Sequence, residues 1–223
     1  MSPPSTAIVI GSAGGIGAAL VEALREEEVP VRGFARPELD ILDESSIAAA
    51  AAAAGRPSLV IVATGLLHEG EHGPEKSLRD LDPEWLARQY AVNAIGPALV
   101  AKHFLPIMPA KGARSVFAVL SARVGSITDN RLGGWYGYRA AKAALNQLVR
   151  TLAIEDKRRN DRGIVVALHP GTVDTKLSKP FQSAGRDLFQ PGRAAVQLLD
   201  VIDGLKVTDS GKHFAWDGAE IAP

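Results

Sequence analysis

The stretch Thr6-Ala7-Ile8-Val9-Ile10-Gly11-Ser12-Ala13-Gly14-Gly15-Ile16-Gly17-Ala18-Ala19-Leu20 decides the reading of the fold. Thr6 to Ile10 is short, apolar and rich in β-branched residues, and Gly11 closes it, which predicts a buried strand. From Gly15 to Glu28 the apolar positions Ile16, Leu20, Ala23 and Leu24 follow a helical repeat. A strand that runs through a glycine-rich turn into a helix presents free backbone N–H groups and the positive end of a helix dipole at that turn. Glycines there let a phosphate approach the backbone closely. The turn therefore predicts a pyrophosphate site built from Gly11, Ser12, Gly14, Gly15, Ile16 and Gly17. The alternative is a plain flexible turn of small residues. The spacing is Gly-x-x-x-Gly-x-Gly with no Gly-Lys-Ser/Thr after it, so a Walker loop and its ATP chemistry are excluded.

Outward from this turn the pattern repeats. Val29 to Ala35 reads as a second strand, and Asp43-Glu44-Ser45-Ser46 as a helix start with acids at the positive end of the dipole. The alanines from Ala48 to Ala54 are good helix formers, stopped by Gly55 and Pro57. Leu59 to Ala63 is a strand, Pro83 to Phe104 a long helix, Ser115 to Leu120 a strand, and Tyr136 to Arg158 a second long helix. Ile164 to Leu168, Arg193 to Ile202 and His213 to Ala215 complete the series as strand, helix and strand. Strands that are apolar on both faces and alternate with helices predict an α/β fold, a Rossmann-type doubly wound parallel sheet covered by helices on both faces. No composition break divides the chain, so residues 1–223 read as one domain. Lys176 to Gln190 is too long for a tight connection and is expected to act as a substrate lid.

Composition narrows the function. Of 223 residues 46% are hydrophobic and 22% charged, the balance of a soluble chain with an ample core. Lys plus Arg and Asp plus Glu are 25 each, so no basic surface points to nucleic acid or to an anionic membrane. Cysteine is absent, which excludes disulfides, thiol nucleophiles and thiolate metal sites. His68, His72, His103, His169 and His213 show no zinc-ligand spacing, and no metal is expected. The first 21 residues are uncharged but lack the positive start of a signal peptide, and Gly-Ser-Ala-Gly-Gly interrupts their apolar run. The expectation is a cytoplasmic protein.

Further along, Tyr138-Arg139-Ala140-Ala141-Lys142, Val92-Asn93-Ala94-Ile95-Gly96, Pro170-Gly171-Thr172-Val173-Asp174-Thr175 and Asp40-Ile41 stand in a fixed order behind the glycine turn. Together they resemble the short-chain dehydrogenase/reductase family: its Tyr-x-x-x-Lys, helix asparagine, Pro-Gly-x-Val-x-Thr and adenine-contacting acidic pair, over nearly the whole chain. Ser121 to Ile127 and His213 to Gly218 are most similar to the C-factor-like and sniffer-like carbonyl reductase subgroup. The resemblance implies hydride transfer between a nicotinamide cofactor and a carbonyl or secondary alcohol, with Asn93, Ser121, Tyr138 and Lys142 as the catalytic set. It further implies Lys142 on the ribose hydroxyls, a water held by Asn93, and cofactor contacts from Ala63-Thr64-Gly65, Pro170, Gly171, Val173 and Thr175. Two positions depart from the family pattern. Ala63-Thr64-Gly65 stands where Asn-Ala-Gly is usual, and Ala122 stands where the carbonyl-binding serine is usual. Ser121 is the preferred substitute because it closes its strand, with Ser126 as the alternative.

The residues carry this chemistry on their own terms. Tyr138 and Lys142 are one helical turn apart and share a face. Lowering a phenol from its usual pKa near 10 to about 7 takes roughly 4 kcal/mol, within reach of a neighbouring ammonium and a cationic nicotinamide in a dry cleft. Leu67, Trp135, Tyr136 and Leu177 are expected to wall an apolar substrate pocket, with Phe181, Leu188 and Phe189 in the lid. Arg36 follows the second strand where an acid would select the unphosphorylated cofactor, which favours NADP(H) over NAD(H). Glu38 is the acid that would compete. Family resemblance implies a homodimer or homotetramer through the two long helices, with Ala91, Ile95, Leu99, Ala144, Leu148 and Leu152 as contact stripes. The rival to an enzyme is a cofactor-binding scaffold or signalling protein that turns over little.

Overall fold

The computed structural model describes residues 6–181 and 188–223. Strands β1 (Ala7–Ile10), β2 (Val31–Phe34), β3 (Leu59–Val62), β4 (Ser115–Leu120), β5 (Gly163–His169) and β6 (His213–Ala215) form one sheet in the order β2-β1-β3-β4-β5-β6. Every neighbouring pair is parallel. Helices α1 (Gly15–Glu26), α2 (Glu44–Ala53), α3 (Pro83–Tyr90), α4 (Gly96–Phe104), α5 (Tyr136–Arg159) and α6 (Pro191–Gly204) make the crossovers. This is the Rossmann-type α/β fold that the strand–turn–helix alternation predicts.

The β1 residues show why its sequence runs apolar without alternation. Ile8 and Ile10 pack with α2, α4 and α5 on one face, whereas Ala7 and Val9 pack with α1 and α6 on the other. Both faces are dry, so both parities of the strand must be apolar. The chain leaves β1 toward β2 on one side and returns to place β3 on the other. Ligands bind outside the strand ends at such a reversal of order.

Local signals set the helix starts as read. Asp43 accepts a hydrogen bond from the Ser45 amide at 3.0 Å to cap α2, and Asp82 accepts one from the Trp85 amide at 2.7 Å to cap α3. The expected single helix from Pro83 to Phe104 is interrupted: Ala91–Ile95 form a π-helical turn between α3 and α4. Such a turn inserts a residue without disturbing the apolar periodicity enough to be seen in sequence. Ile95 is half-exposed on this unit, while Leu99, Ala144, Leu148 and Leu152 lie partly buried against the core. Among the described residues no helix is long and apolar enough to cross a membrane.

Candidate active site

Two cavities open at the carboxyl edge of the sheet. The first, about 590 Å³, lies at the β1–β3 reversal and is lined by Gly11, Gly14, Arg36, Asp40, Ile41, Ala63, Thr64 and Gly65, as the sequence predicts. Gly11 has φ +88°, and a Cβ there would lie 3.0 Å from Thr64 Cγ2. A Cβ on Gly17 would collide with the Gly11 carbonyl, so the turn folds tightly only with glycine at both places. Gly14 closes the turn by donating to the Gly11 carbonyl at 3.0 Å and precedes α1 with no side-chain cap. The N–H groups of the first helical turn are left to face a ligand.

Ser12 and Gly15 line neither cavity. Ser12 packs against Gly33 of β2, and Gly15 abuts Thr175. Asp40 accepts from the Leu42 amide at 3.0 Å, so its carboxylate shapes its own turn at the cleft wall. Glu38 is ion-paired to Arg32 at 2.6 Å and lies outside the cleft lining, whereas Arg36 lines it and has no hydrogen bond or ion pair among the described residues. Sequence reasoning missed Glu69 and Arg88. They line the cleft and pair through two hydrogen bonds of 2.9 Å, which hold the Glu69 carboxyl below its usual range. They come from a loop and a helix 19 residues apart, a separation that no local pattern marks.

The second cavity, about 480 Å³, lies beyond β4 and β5. Ser121 and Tyr138 are buried yet line it, and so do Ile16, Pro170, Gly171, Val173 and Thr175. The Pro-Gly segment and Ile16, expected at the cofactor, thus wall this cavity and not the cleft. Lys142, one turn after Tyr138 on α5, is buried with its Nζ 5.7 Å from the centre of the tyrosine ring and donates to the Leu120 carbonyl at 2.8 Å.

Burial pushes the Tyr138 phenol up to about 12 and the Lys142 ammonium down to about 7. The expected phenol pKa near 7 is therefore not produced by this chain's own groups. Desolvation disfavours both charged forms, and an ammonium that is itself half lost at neutral pH gives the phenolate little support.

The two serines separate clearly. Ser121 donates to the Asn146 amide oxygen at 2.7 Å at the cavity wall. Ser126 donates to the Pro223 carbonyl at 3.3 Å, accepts from the Asp129 amide at 3.1 Å, and lies outside the cavity lining. Asn93, in the π turn, donates to Gln89 Oε1 at 2.7 Å and to the Leu66 carbonyl at 2.8 Å, and accepts from the Leu66 amide at 3.0 Å. Both its donors are spent on protein, and one acceptor lone pair remains. Its side chain fixes the loop after β3.

Leu67, Trp135, Leu177 and Phe181 line the cavity as expected. Trp135 meets Tyr138 and Phe181 edge-on, with ring centres 6.2 and 5.6 Å apart. Tyr136 does not line it: as the first residue of α5 it is exposed to solvent. Phe189 is also no part of a lid. It is buried with Val173 and Ala194 and packs on Trp216 at 4.7 Å. Residues 182–187 of the expected lid lie outside the described residues. The charged and titratable lining residues Arg123, Asp129, Arg131, Arg139 and His169 were not anticipated at the site. Burial lowers His169 to about 4 and the neighbouring His213 to about 3, so both stay neutral.

The chain belongs to the short-chain dehydrogenase/reductase family. A family model described as Enoyl-(Acyl carrier protein) reductase matches residues 17–198. The C-signal protein of Myxococcus xanthus is 37% identical over 146 residues, 65% of this chain and 82% of that protein. The 1-hydroxy-2-glutathionyl-2-methyl-3-butene dehydrogenase of Rhodococcus sp. (strain AD45) is 31% identical over 186 residues, 82% of this chain and 77% of that protein. An NADPH-bound carbonyl reductase from chicken fatty liver has the same fold, with a TM-score of 0.85 at 24% identity over 99% of this chain and 94% of that one. The carbonyl reductase Sniffer of D. melanogaster has it too, with a TM-score of 0.84 at 20% identity over 98% and 99% of the two chains. The chain is thus an oxidoreductase of the short-chain type, and its fold is one that binds a nicotinamide cofactor.

Proposed function

We propose that the protein interconverts a carbonyl and a secondary alcohol with NADP(H), favoured over NAD(H), and that Tyr138 is its general acid and base. The observation that carries this is the pairing of buried Ser121 and Tyr138 on the wall of one cavity, with Lys142 directly behind the tyrosine. A nicotinamide bound in the cleft would supply or accept the hydride at the carbonyl carbon. In reduction Ser121 turns its hydroxyl from Asn146 to the carbonyl oxygen, and Tyr138 Oη delivers the proton to that oxygen as the hydride arrives. A phenol held protonated by burial, up to about 12, suits the acid role at neutral pH. Lys142 binds the ribose hydroxyls, and its charged form stabilises the phenolate left on Tyr138 once the proton has passed to the substrate oxygen. Asn93 holds the Leu66 backbone at the edge of the cleft.

Arg36, lining the adenosine side with no hydrogen bond or ion pair among the described residues and the field of Glu69 acting on it, suits a ribose phosphate, while the competing Glu38 is engaged by Arg32. The Rhodococcus relative, a dehydrogenase of a hydroxy compound, supports chemistry at an alcohol carbon. The loop around Leu177 and Phe181 closes over the substrate, and the protein assembles as a homodimer or homotetramer through α3, α4 and α5. The likeness to C-signal, with Ala122 and Ala63, favours a second reading as a signalling protein of low turnover. Loss of NADPH absorbance against a panel of aldehydes and ketones separates the two. Turnover supports the enzyme, and NADPH binding without turnover of any member supports the alternative.

A further inference from the structure

The mouth of the catalytic cavity carries charge that carbonyl reduction does not use. Its floor is buried and formed by Ser121 and Tyr138, whereas its rim holds the guanidinium groups of Arg123, Arg131 and Arg139 with one carboxylate, Asp129. Arg139 is fixed in place, donating to the Gly134 and Val124 carbonyls at 3.0 and 3.3 Å, so its charge is held at the wall and not neutralised. Arg123 reaches Asp129 through a single contact of 3.4 Å, with both side chains about half-exposed. Such a pair is weak and gives way readily to another anion. Arg131 has no hydrogen bond or ion pair among the described residues, although it lines the same opening. Three cations against one anion leave the rim positive. Burial is the main reason that His169 and His213 stay unprotonated, and the Arg123 charge adds to it.

We propose that the physiological substrate is a carbonyl compound, or its alcohol, that carries an anionic oxygen group such as a carboxylate at the end remote from the reacting carbon. Arg131 is the principal determinant, with Arg123 and Arg139 supporting it. The reacting end enters first, because the apolar walls at Leu67, Trp135 and Leu177 admit an uncharged body and the charged end stays at the rim. A guanidinium facing partly excluded water binds a carboxylate through paired, charge-assisted hydrogen bonds. This inference rests on the oxidoreductase reading above, and its test is built to separate the two.

The protein is assayed with NADPH against para-formylbenzoate and its methyl ester, which differ in charge and little in shape. The carboxylate should lead in kcat/KM by at least about tenfold, mainly through KM, and raised salt should narrow that lead. Arg131→Ala should bring the ratio to within about threefold of unity, and Arg131→Glu should reverse it. Arg131 is exposed, so neither change threatens folding. Equal kcat/KM for acid and ester in the unmodified protein, or a preference that survives both substitutions, overturns the proposal. If neither aldehyde turns over, tryptophan fluorescence reads binding of para-carboxybenzyl alcohol and its methyl ester. Tighter binding of the carboxylate, lost in Arg131→Ala, upholds the anion site, and absence of turnover across the wider aldehyde and ketone panel then refutes carbonyl reduction. Equal binding refutes the anion site itself.

Discussion

The cleft at the β1–β3 reversal is walled by glycines, small and aliphatic side chains, and one ion pair that water reaches. The cavity beyond β4 and β5 has a floor of polar side chains that water does not reach. In the cleft, Gly11 and Gly14 offer main-chain geometry, and Glu69 and Arg88 are a third to a half exposed. Ser121 and Tyr138 at the cavity floor, and Lys142 behind the tyrosine, are each less than a tenth exposed, and burial alone moves the pKa values of the last two by large amounts. The difference separates binding from chemistry. Main-chain contacts and screened charges give affinity and selection spread over many groups. A buried side chain acts in a medium where one hydrogen bond or one charge weighs heavily, so function there is concentrated in few atoms.

Ser121→Ala and Ser126→Ala test that contrast within the catalytic half. Loss of an oxyanion donor from a preorganised site lowers kcat by about 10² to 10³. Ser121→Ala should fall in that range. Ser126→Ala, which loosens the hold on Pro223 outside the cavity, should leave kcat within about threefold. A larger loss from Ser126 would move the carbonyl contact to that residue and break the comparison.

Arg36→Ala tests the nucleotide half. The unmodified protein should prefer NADPH to NADH by about tenfold in kcat/KM, and the substitution should erase most of that lead while kcat at saturating cofactor barely changes. Equal use of the two cofactors before mutation would remove Arg36 from the account.

The smallest effect is on stability. His169 and His213 are held neutral by burial, at about 4 and about 3 against 6.5 for an exposed imidazole. Below about pH 6.5 the unfolded chain takes up protons that the folded chain refuses, so stability falls as the pH drops toward 3. His213 has no hydrogen-bond partner for either ring nitrogen among the described residues, so His213→Phe keeps the ring and deletes the titration. Its Tm should fall several degrees less than that of the unmodified protein between about pH 7 and pH 5. Identical slopes would show that His213 does not carry this dependence.

Much of the cleft and of the catalytic pair is legible from sequence, because short-range rules govern it. A glycine turn between strand and helix, a Tyr four residues before a Lys on one helix, and Asp caps ahead of α2 and α3 need no knowledge of distant contacts. The parts that escape depend on what the fold brings together. The π turn that frames Asn93 hides inside an unbroken apolar repeat. The Glu69–Arg88 pair joins a loop to a helix, and the arginine rim gathers residues from a short 3₁₀ turn, a loop and α5, which no single helical or strand period relates. Trp135 and Tyr136 are neighbours, yet one lines the cavity and the other faces water, since the start of α5 falls between them. The ionisation of Tyr138 also depends on burial, and burial at that depth is a property of the assembled cavity.

The most direct test of the account is Tyr138→Phe, measured for single-turnover reduction of an accepted aldehyde and, separately, for NADPH affinity. The ring that packs on Trp135 is kept and only the proton-bearing oxygen is lost. The rate of the chemical step should fall by about 10² to 10⁴, the usual contribution of a positioned acid, while the Kd for NADPH stays within about threefold. A variant that keeps more than about a tenth of the unmodified rate, with chemistry still limiting, would contradict the assignment of proton transfer to Tyr138.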